Sequence, residues 1–161
     1  MRTLAIDLGS RRVGLALSDD GGKFATPYDV LDVNSAGDAL APICDLIAKE
    51  AVQRLLIGLP LNMDDTIGPA ARSVVQWSNK LRSLVSVPLV FVDERLSSFS
   101  AEQRLTDRKR SGEKLTRGRK KQMLDAHAAA GFLQEFLDGK LIPIEPPNDE
   151  PRSQRRSSTD R

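Results

Sequence analysis

Two short apolar runs of this sequence carry acidic residues near their C-terminal ends. Asp7 lies in the run Thr3–Leu8, and Asp93 and Glu94 end a later run. A carboxylate in an apolar segment is costly to bury unless it is hydrogen-bonded, paired or bound to a metal ion. Asp7 could also cap the turn that begins at Gly9, so a structural and a catalytic interpretation both stay open.

A third acid, Asp125, lies on the apolar stripe of a predicted helix, and that stripe continues through Ala128, Ala129, Phe132 and Phe136. A helix-dipole interaction, worth about 0.3–1 kcal/mol, is the structural alternative, but it explains an exposed acid better than an inward one. The many alanines of this helix would let it approach a sheet closely. Asp125 could then reach Asp7.

The chain has one cysteine, Cys44, and one histidine, His127, which excludes an intramolecular disulfide, a cysteine zinc cluster and a histidine-paired triad. Three convergent carboxylates instead favour Mg²⁺ or Mn²⁺. Two such ions about 3.5–4 Å apart activate a water and stabilise the leaving oxygen of a phosphodiester. The pattern predicts a metal-dependent nuclease whose metal-binding acids come from Asp7, the pair Asp93-Glu94 and Asp125.

The net charge of +2 hides a cationic segment, because residues 108–121 hold eight Lys or Arg and one acid. Such a run binds a phosphate backbone by counterion release, although a solvated loop has the same composition. Both interpretations remain. The candidate nucleic-acid-binding residues of this segment are Arg108, Lys109, Arg110, Arg117, Arg119, Lys120 and Lys121.

A length of 161 residues with 40% hydrophobic positions suits one domain. Apolar patterning and turn residues predict a hairpin and a third strand interrupted near Pro27, which suits an edge, followed by alternating helices and strands. This order predicts a mixed α/β sheet with helices on both faces. The predicted elements are strands at 3–8, 13–18, 24–33, 54–58 and 89–93, helices at 40–47, from Pro69 to Leu84, at 98–108 and at 119–137, and a mobile loop at 109–118.

The second helix has the apolar stripe Val74, Trp77, Leu81 and Leu84, and we expect Cys44 and Trp77 in the core. Residues 143–161 are rich in Pro, Ser and Arg, which predicts a disordered tail after a domain of residues 1–142. No apolar run approaches the roughly 20 residues that cross a bilayer, and no signal peptide is evident. We therefore expect a soluble, cytoplasmic protein with no membrane contact.

Four motifs follow one another along the chain: IDLGSRRVGLA at 6–16, GLPLN at 58–62, DERLSS at 93–98 and KQMLDAHAA at 121–129. Together they resemble the YqgF family, also called RuvX, over residues 1–142. Its members are RNase H-like Holliday junction resolvases, regarded in bacteria as the nuclease that matures the 5′ end of pre-16S ribosomal RNA. The resemblance implies an RNase H-like fold, a five-stranded mixed sheet flanked by helices.

The resemblance implies that the catalytic, metal-binding acids are Asp7, Glu94 and Asp125, and so it chooses Glu94 from the acidic pair that ends the later strand. It suggests that Arg12 and Arg95 hold the site or the scissile phosphate, while Arg95 could equally be a structural partner of Asp93. Precursor rRNA within ribosomal precursor particles, or branched DNA, would be the nucleic-acid partner. The protein could be a monomer or a homodimer.

The loop after Asn62 departs from the family pattern, since it reads Met63-Asp64-Asp65-Thr66 where a Gly usually follows the first Asp. That substitution puts the turn geometry in doubt, because Gly tolerates positive φ and Asp does so less well. His127 should point about 200° away from Asp125 around the helix. We expect it to pack or to lie at the surface.

Three function classes compete at this point. The first is the processing nuclease, with a branched-DNA resolvase as its enzymatic alternative, and the second is a non-catalytic ribosome-assembly or nucleic-acid-binding factor. The third comprises actin-like ATPases and sugar kinases, which also open with an Asp-x-Gly strand turn. They need a second lobe and a second phosphate loop, for which this chain has neither the length nor the motif.

Overall fold

A computed structural model of the chain describes residues 1–97 and 117–146, with the backbone alone for residues 117–123. Five strands form one sheet: β1 (Thr3–Leu8), β2 (Arg12–Ser18), β3 (Ala25–Asp32), β4 (Arg54–Leu59) and β5 (Leu89–Asp93). The helices of the described residues are α1 (Leu40–Lys49), α2 (Pro69–Leu84) and α3 (Arg117–Leu137), with short 3-10 helices at Ala36–Ala39 and Glu94–Leu96.

The sheet is mixed, as the sequence predicted, with the strand order β3-β2-β1-β4-β5. β1, β2 and β3 form an antiparallel meander, while β1, β4 and β5 run parallel. The C-terminal ends of these three parallel strands therefore meet at one edge of the sheet, where ligands of open α/β sheets bind. We call it the carboxyl edge, and it contains Asp7, Leu59 and Asp93.

Side-chain alternation along β1 divides the core into two layers. Leu4 and Ile6 pack with Ile43 of α1 and Trp77 of α2 on one face of the sheet. Ala5 packs on the other face in a layer that includes the α3 residues Ala129, Phe132 and Leu133. Since side chains of a strand alternate between faces, Asp7 lies on the α3 side.

The edge position predicted for the third strand is confirmed, because β3 is a terminal strand of the sheet. Its pairing with β2 shifts register where Leu15 faces Asp29 and Ala16 faces Pro27, which leaves Tyr28 without a partner in β2. A proline cannot donate to a ladder hydrogen bond, so an irregular edge strand accommodates Pro27.

Two details of the helices differ from the predictions. Leu84 is 59% exposed, because it ends α2 beyond the part of the stripe that contacts the sheet, whereas Trp77 and Leu81 are buried. α3 begins at Arg117, so Arg117 and Gly118 are helical and not part of a loop. The predicted helix at 98–108 and the loop residues 109–116 lie outside the described residues. No described helix has the length and apolarity that crossing a membrane requires.

The chain stays in contact with the sheet beyond residue 142. Ile144 forms an isolated antiparallel bridge with Phe91, and its N–H donates to the Phe91 carbonyl at 2.8 Å. This contact lies on the outer side of β5, two residues past the domain boundary expected from composition. The tail from residue 147 onward lies outside the described residues.

Candidate active site at the carboxyl edge

Asp7 and Asp125 are brought together by a close contact between β2 and α3. Gly14 of β2 is paired with Asp7 of β1. A Cβ atom at Gly14 would lie only 2.2 Å from the main-chain oxygen of Asp125. Only a glycine leaves room for the helix backbone at this distance. The glycine therefore permits the approach of α3 to the sheet that the alanines of the helix suggested.

Glu94 enters the same region from the end of β5, at the first position of the 3-10 helix Glu94–Leu96. A Cβ atom at Gly58 of the neighbouring strand would touch the Phe132 ring at 3.5 Å and the Glu94 Cβ at 3.8 Å. These are ordinary van der Waals distances, and they place Gly58 beside both an aromatic side chain of α3 and the base of the Glu94 side chain. The three predicted acids come from β1, from the end of β5 and from α3.

The ionisation of Asp7 is strongly perturbed. Its burial, then the negative charge of Glu94 and then that of Asp125 raise the pKa of the Asp7 carboxyl to about 7. All three causes disfavour the charged form, because burial removes water and like charges repel. Such a group is typical of a functional site, although structural clusters can produce the same shift.

A cavity of about 200 Å³ opens beside these acids. Arg12 lies in its wall, and the Arg12 Nε is 3.4 Å from Oδ2 of Asp125. This ion pair places the Arg12 side chain beside Asp125 in the cavity wall, and the role expected of Arg12 stays a prediction. The lining residues are Asp7, Gly9, Ser10, Arg11, Arg12 and Asp125.

The Arg95 side chain forms its hydrogen bonds with other groups of the protein. Its Nε and Nη2 donate to the two carboxylate oxygens of Asp93 at 3.0 and 2.7 Å, and its Nη2 also donates to Asp65 at 2.7 Å. Its Nη1 donates to the main-chain oxygen of Asn62. These bonds lower the pKa of Asp93 and raise that of Arg95. The geometry therefore favours the structural interpretation of Arg95 over a phosphate contact.

The loop after Asn62, to which Arg95 is bonded, forms its turn without the glycine that usually follows the first Asp. Asp65 has a φ of +64°, so it adopts the left-handed conformation that a glycine would take most easily. Asp64 supports the turn by accepting hydrogen bonds from the N–H and hydroxyl of Thr66. The turn geometry is kept, and the acids of the loop serve the turn and the Arg95 contact.

The structure does not supply a complete, preformed set of metal ligands. Within the described part of the chain, no three side chains of the His, Cys, Asp and Glu types converge as ligands of one ion. His127 is exposed on α3, as expected. Of the basic segment, Arg117, Arg119, Lys120 and Lys121 lie in α3 with only their backbone described, and Arg108, Lys109 and Arg110 lie outside the described residues.

Sequence reasoning missed two features of the site. Gly14 was not singled out, although a glycine in a strand interior is a known signal of close backbone approach. Arg11 was passed over in favour of its neighbour Arg12, yet Arg11 also lines the cavity. The doubled arginine in the β1–β2 turn was the available signal for it.

Comparison with known proteins gives matches across nearly the whole described chain. A family model described as "RuvX: Holliday junction resolvase" matches residues 1–139. A protein of Anaeromyxobacter sp. (strain Fw109-5) is 41% identical over 140 residues, which cover 87% of this chain and 98% of the relative. A protein of Acidiphilium cryptum (strain JF-5) is 38% identical over 137 residues, which cover 85% and 84%. Both relatives bear the name "Putative pre-16S rRNA nuclease".

Solved structures share the fold at low sequence identity. RuvC of T. thermophilus, in complex with a Holliday junction substrate, superposes with a TM-score of 0.55 and 14% identity, covering 89% of this chain and all of RuvC. The Fowlpox virus resolvase, also in complex with Holliday junction DNA, gives a TM-score of 0.51 and 8% identity, covering 86% and 98%. The RNase H-like architecture expected from the motifs is confirmed.

Proposed function

Because this chain belongs to the RuvX family, which matches it over residues 1–139, we propose that it is a nuclease that hydrolyses phosphodiester bonds during 5′-end maturation of precursor 16S ribosomal RNA. Relatives at 38% and 41% identity carry that activity in their names. The products would be a 5′-phosphate and a 3′-hydroxyl, as for other two-metal RNase H-like enzymes. Precursor ribosomal particles would be the setting in which the substrate is met.

One observation carries the proposal at the level of chemistry. Asp7 is largely buried, its pKa is raised to about 7, and two further carboxylates, Glu94 and Asp125, contribute to that shift. A structural carboxylate is normally placed beside a cation or hydrogen-bond donors that lower its pKa. Here, two carboxylates raise the pKa of a third at the ligand-binding edge of a sheet. This arrangement favours a site that binds a cation.

The donor set fits Mg²⁺ or Mn²⁺. Mg²⁺ usually takes one or two protein carboxylates together with waters and substrate phosphate oxygens, so it needs no group of three preformed ligands. Asp7 and Asp125 line one cavity, and the charge of Glu94 acts on Asp7 from the end of β5, on the far side of β4. We propose these three as the metal-binding residues. Bound there, the ions would supply an activated water and stabilise the leaving oxygen.

The remaining residues of the site would keep these acids in place. Arg12 pairs with Asp125 and limits the directions that its carboxylate can take. Arg95 ties Asp93 to the loop at Asn62 and Asp65, and so fixes the chain on both sides of Glu94. In this proposal Arg95 positions the site and does not contact nucleic acid. Catalysis depends on such positioning, since a misplacement of about 1 Å can reduce a rate about a hundredfold.

The substrate backbone would be gripped mainly by charge. With 4% aromatic residues, the chain has little to offer as a stacking platform for bases. Since Arg12 is paired with Asp125, the proposed contacts are the residues of the basic segment, Arg108, Lys109, Arg110, Arg117, Arg119, Lys120 and Lys121. Neutralising several of these cations should weaken RNA binding and flatten its salt dependence, whereas a merely solvated loop would leave both unchanged.

A resolvase acting on branched DNA is the second candidate, because the matching family model is itself described as a Holliday junction resolvase. The two activities would use the same carboxylates on different substrates. Symmetric cutting of a four-way junction needs two active sites and hence a homodimer. Fold likeness to RuvC does not decide between the substrates.

The test is cleavage of a 5′-extended precursor rRNA and a four-way DNA junction, side by side, with Mn²⁺, Mg²⁺ or EDTA. Wild type is compared with Asp7→Ala and with Asp45→Ala, which removes an exposed acid of α1. RNA cleavage that needs metal and Asp7, but not Asp45, supports the processing nuclease. Junction cleavage with the same dependence supports the resolvase. Binding without any cleavage would make the protein an assembly factor.

A further inference from the structure

Among the described side chains, three arginines lie around the carboxyl edge, and two of them are already paired with carboxylates of the protein. Arg12 forms an ion pair with Asp125. Arg95 binds Asp93 and Asp65, and its third donor group binds the Asn62 carbonyl. The charge of each of these guanidinium groups is thus compensated within the protein. Neither is the natural first contact for an additional anion.

Arg11 differs from both. It is exposed, it lines the same cavity as Asp7 and Asp125, and within the described residues its side chain makes no hydrogen bond or ion pair. Its backbone, by contrast, is firmly held. The Arg11 carbonyl accepts a hydrogen bond from the N–H of Val33 at 2.9 Å, and the Gly9 N–H donates to the Arg12 carbonyl at 2.9 Å.

The turn itself has little freedom to move. A Cβ atom at Gly9 would lie 2.5 Å from the Arg12 carbonyl oxygen, so the chain is tightly folded at this point. Arg11 is therefore a long cationic side chain on a fixed base beside the proposed reaction centre. A loop anchored in this way can present a charge to a ligand at little cost in backbone ordering.

The negative charge of the site indicates a role for the Arg11 guanidinium group. A nucleic-acid backbone that approaches Asp7, Glu94 and Asp125 brings negative charge toward three carboxylates. A cation beside the cavity offsets that repulsion, and a guanidinium group can donate two parallel hydrogen bonds to one phosphate. Arg12 and Arg95 cannot do so without giving up the carboxylates they hold.

We propose that Arg11 is a phosphate-binding residue of this site, and that it holds a backbone phosphate of the nucleic-acid substrate at the mouth of the cavity. The inference rests on the proposed nuclease function and adds to it a division of labour within the pair Arg11-Arg12. Arg11 binds the substrate, and Arg12 positions Asp125. Replacing Arg11 should therefore weaken substrate binding, whereas replacing Arg12 should lower the rate of cleavage.

The test measures binding and turnover separately. Binding of a fluorescein-labelled 5′-extended precursor rRNA is followed by anisotropy in EDTA over a range of salt concentrations, for wild type, Arg11→Ala, Arg11→Lys, Arg12→Ala and Lys80→Ala. Lys80 is an exposed cation of α2, on the opposite face of the sheet from α3. Turnover of the same RNA is then measured with Mn²⁺.

For Arg11→Ala we expect Kd and KM to rise about tenfold, the slope of log K against log salt to fall by about one, and kcat to stay within twofold. Arg11→Lys should recover part of the affinity, because the charge returns without the planar fork. Arg12→Ala should mainly lower kcat. Lys80→Ala should resemble wild type.

An affinity and salt slope for Arg11→Ala equal to those of Lys80→Ala would overturn the proposal, and so would a loss confined to kcat. The binding arm needs neither metal nor cleavage. If wild type binds RNA but cuts nothing, the nuclease function fails while the role of Arg11 in binding is still measured. If wild type cuts RNA and Arg11→Ala binds normally, the function stands and this inference fails.

Discussion

Charged side chains at the two ends of the sheet have opposite kinds of neighbour. At the end away from the carboxyl edge, Arg2 lies between Asp20 and Glu50 and donates to them at 2.5 and 2.9 Å. There, Asp20 is the main cause of a raised Arg2 pKa. At the carboxyl edge, Asp7 is half-buried near Glu94 and Asp125, and its pKa is raised to about 7. At the far end, the charge of Arg2 is paired with acids of the chain. At the carboxyl edge, the neighbouring carboxylates repel one another and favour the binding of an added cation.

This contrast separates residues that hold the fold from residues that act. Arg54 shows the holding role at the far end, where it donates to Thr3 Oγ1 at 3.1 and 3.2 Å and lies 4.7 Å from the centre of the Phe136 ring. Arg95 plays a similar role close to the active residues. Position at the carboxyl edge is therefore not enough to make a residue functional. What its charge is paired with is the better criterion.

The largest expected effect concerns Asp7, since replacing it with Asn should stabilise the metal-free protein. A carboxyl whose pKa rises from 3.8 to about 7 on folding destabilises the folded state, when ionised, by about 4 kcal/mol. The folded state retains its proton between pH 4 and 7 while the unfolded state has lost it. The free energy of unfolding therefore falls as pH rises through this range and levels off above it.

Urea denaturation in EDTA at pH 4 and pH 8 measures this effect. Asp7→Asn should exceed wild type at pH 8 and not at pH 4. Asp20→Asn, at the far end, should give no gain at either pH, because it removes a partner of Arg2. An equal gain for Asp7→Asn at both pH values would show that repulsion and burial at the carboxyl edge are not its source.

The next effect concerns the contact between β2 and α3. Gly14→Ala would place a methyl group 2.2 Å from the Asp125 main-chain oxygen, so α3 must move away from Asp7. We expect cleavage to fall about a hundredfold, as for displacements of about 1 Å at reacting groups. Gly37→Ala is the control, because its nearest neighbour would be Ser35 Oγ at 3.7 Å. Equal activity of the two variants would mean that Asp125 does not need this contact.

A smaller effect is expected from cutting the Arg95 contacts. Arg95→Met should leave the carboxylate of Asp93, whose side chain is 8% exposed, without its cation. We expect the Tm to fall by roughly 5 °C, more than for Arg2→Met, whose partners Asp20 and Glu50 have side chains 87% and 19% exposed and so keep more contact with water than Asp93. Calorimetry at pH 7 compares the two. A larger loss for Arg2→Met would reverse the ranking of the two ends.

The smallest effect is expected at Asp65, which combines an unfavourable backbone conformation with an exposed ion pair. Asp65→Gly removes both, so its effect on stability should be within about 1 kcal/mol of zero. Asp65→Val keeps the positive φ without the ion pair and should destabilise by about 1–3 kcal/mol. Thermal melts of both variants check this. Similar losses for the two would mean that the ion pair, and not the backbone, dominates.

Local patterns predicted most of the fold because they reflect local physics. The apolar runs at Thr3–Leu8 and Leu89–Asp93 gave strands with the correct ends, and the stripe that includes Asp125 gave the correct face of α3. The family motifs then gave the topology, which periodicity alone leaves open. Leu84 was misjudged because helical spacing does not reveal where a helix extends past the sheet.

The parts of the site that could not be predicted depend on contacts distant in sequence. Arg95 donates to Asn62 and Asp65, which precede it by 33 and 30 residues, and no pattern within either segment indicates this pairing. The same holds for the contact of Gly14 with Asp125. The choice between Arg11 and Arg12 also required knowing which of them faces a carboxylate. The sequence identified the residue types of the site, and the structure shows which of those side chains are already paired with other groups of the protein.

The bridge between Ile144 and Phe91 covers part of an outer edge of the sheet. β5 is a terminal strand, and the unpaired groups on the outside of such a strand are a template for aggregation. The N–H of Ile144 occupies the Phe91 carbonyl at the middle of that strand. A chain shortened to end at Ile142 would leave this strand open to another chain. The residues just after Ile142 therefore cover part of the outer edge of β5, where another strand could otherwise pair.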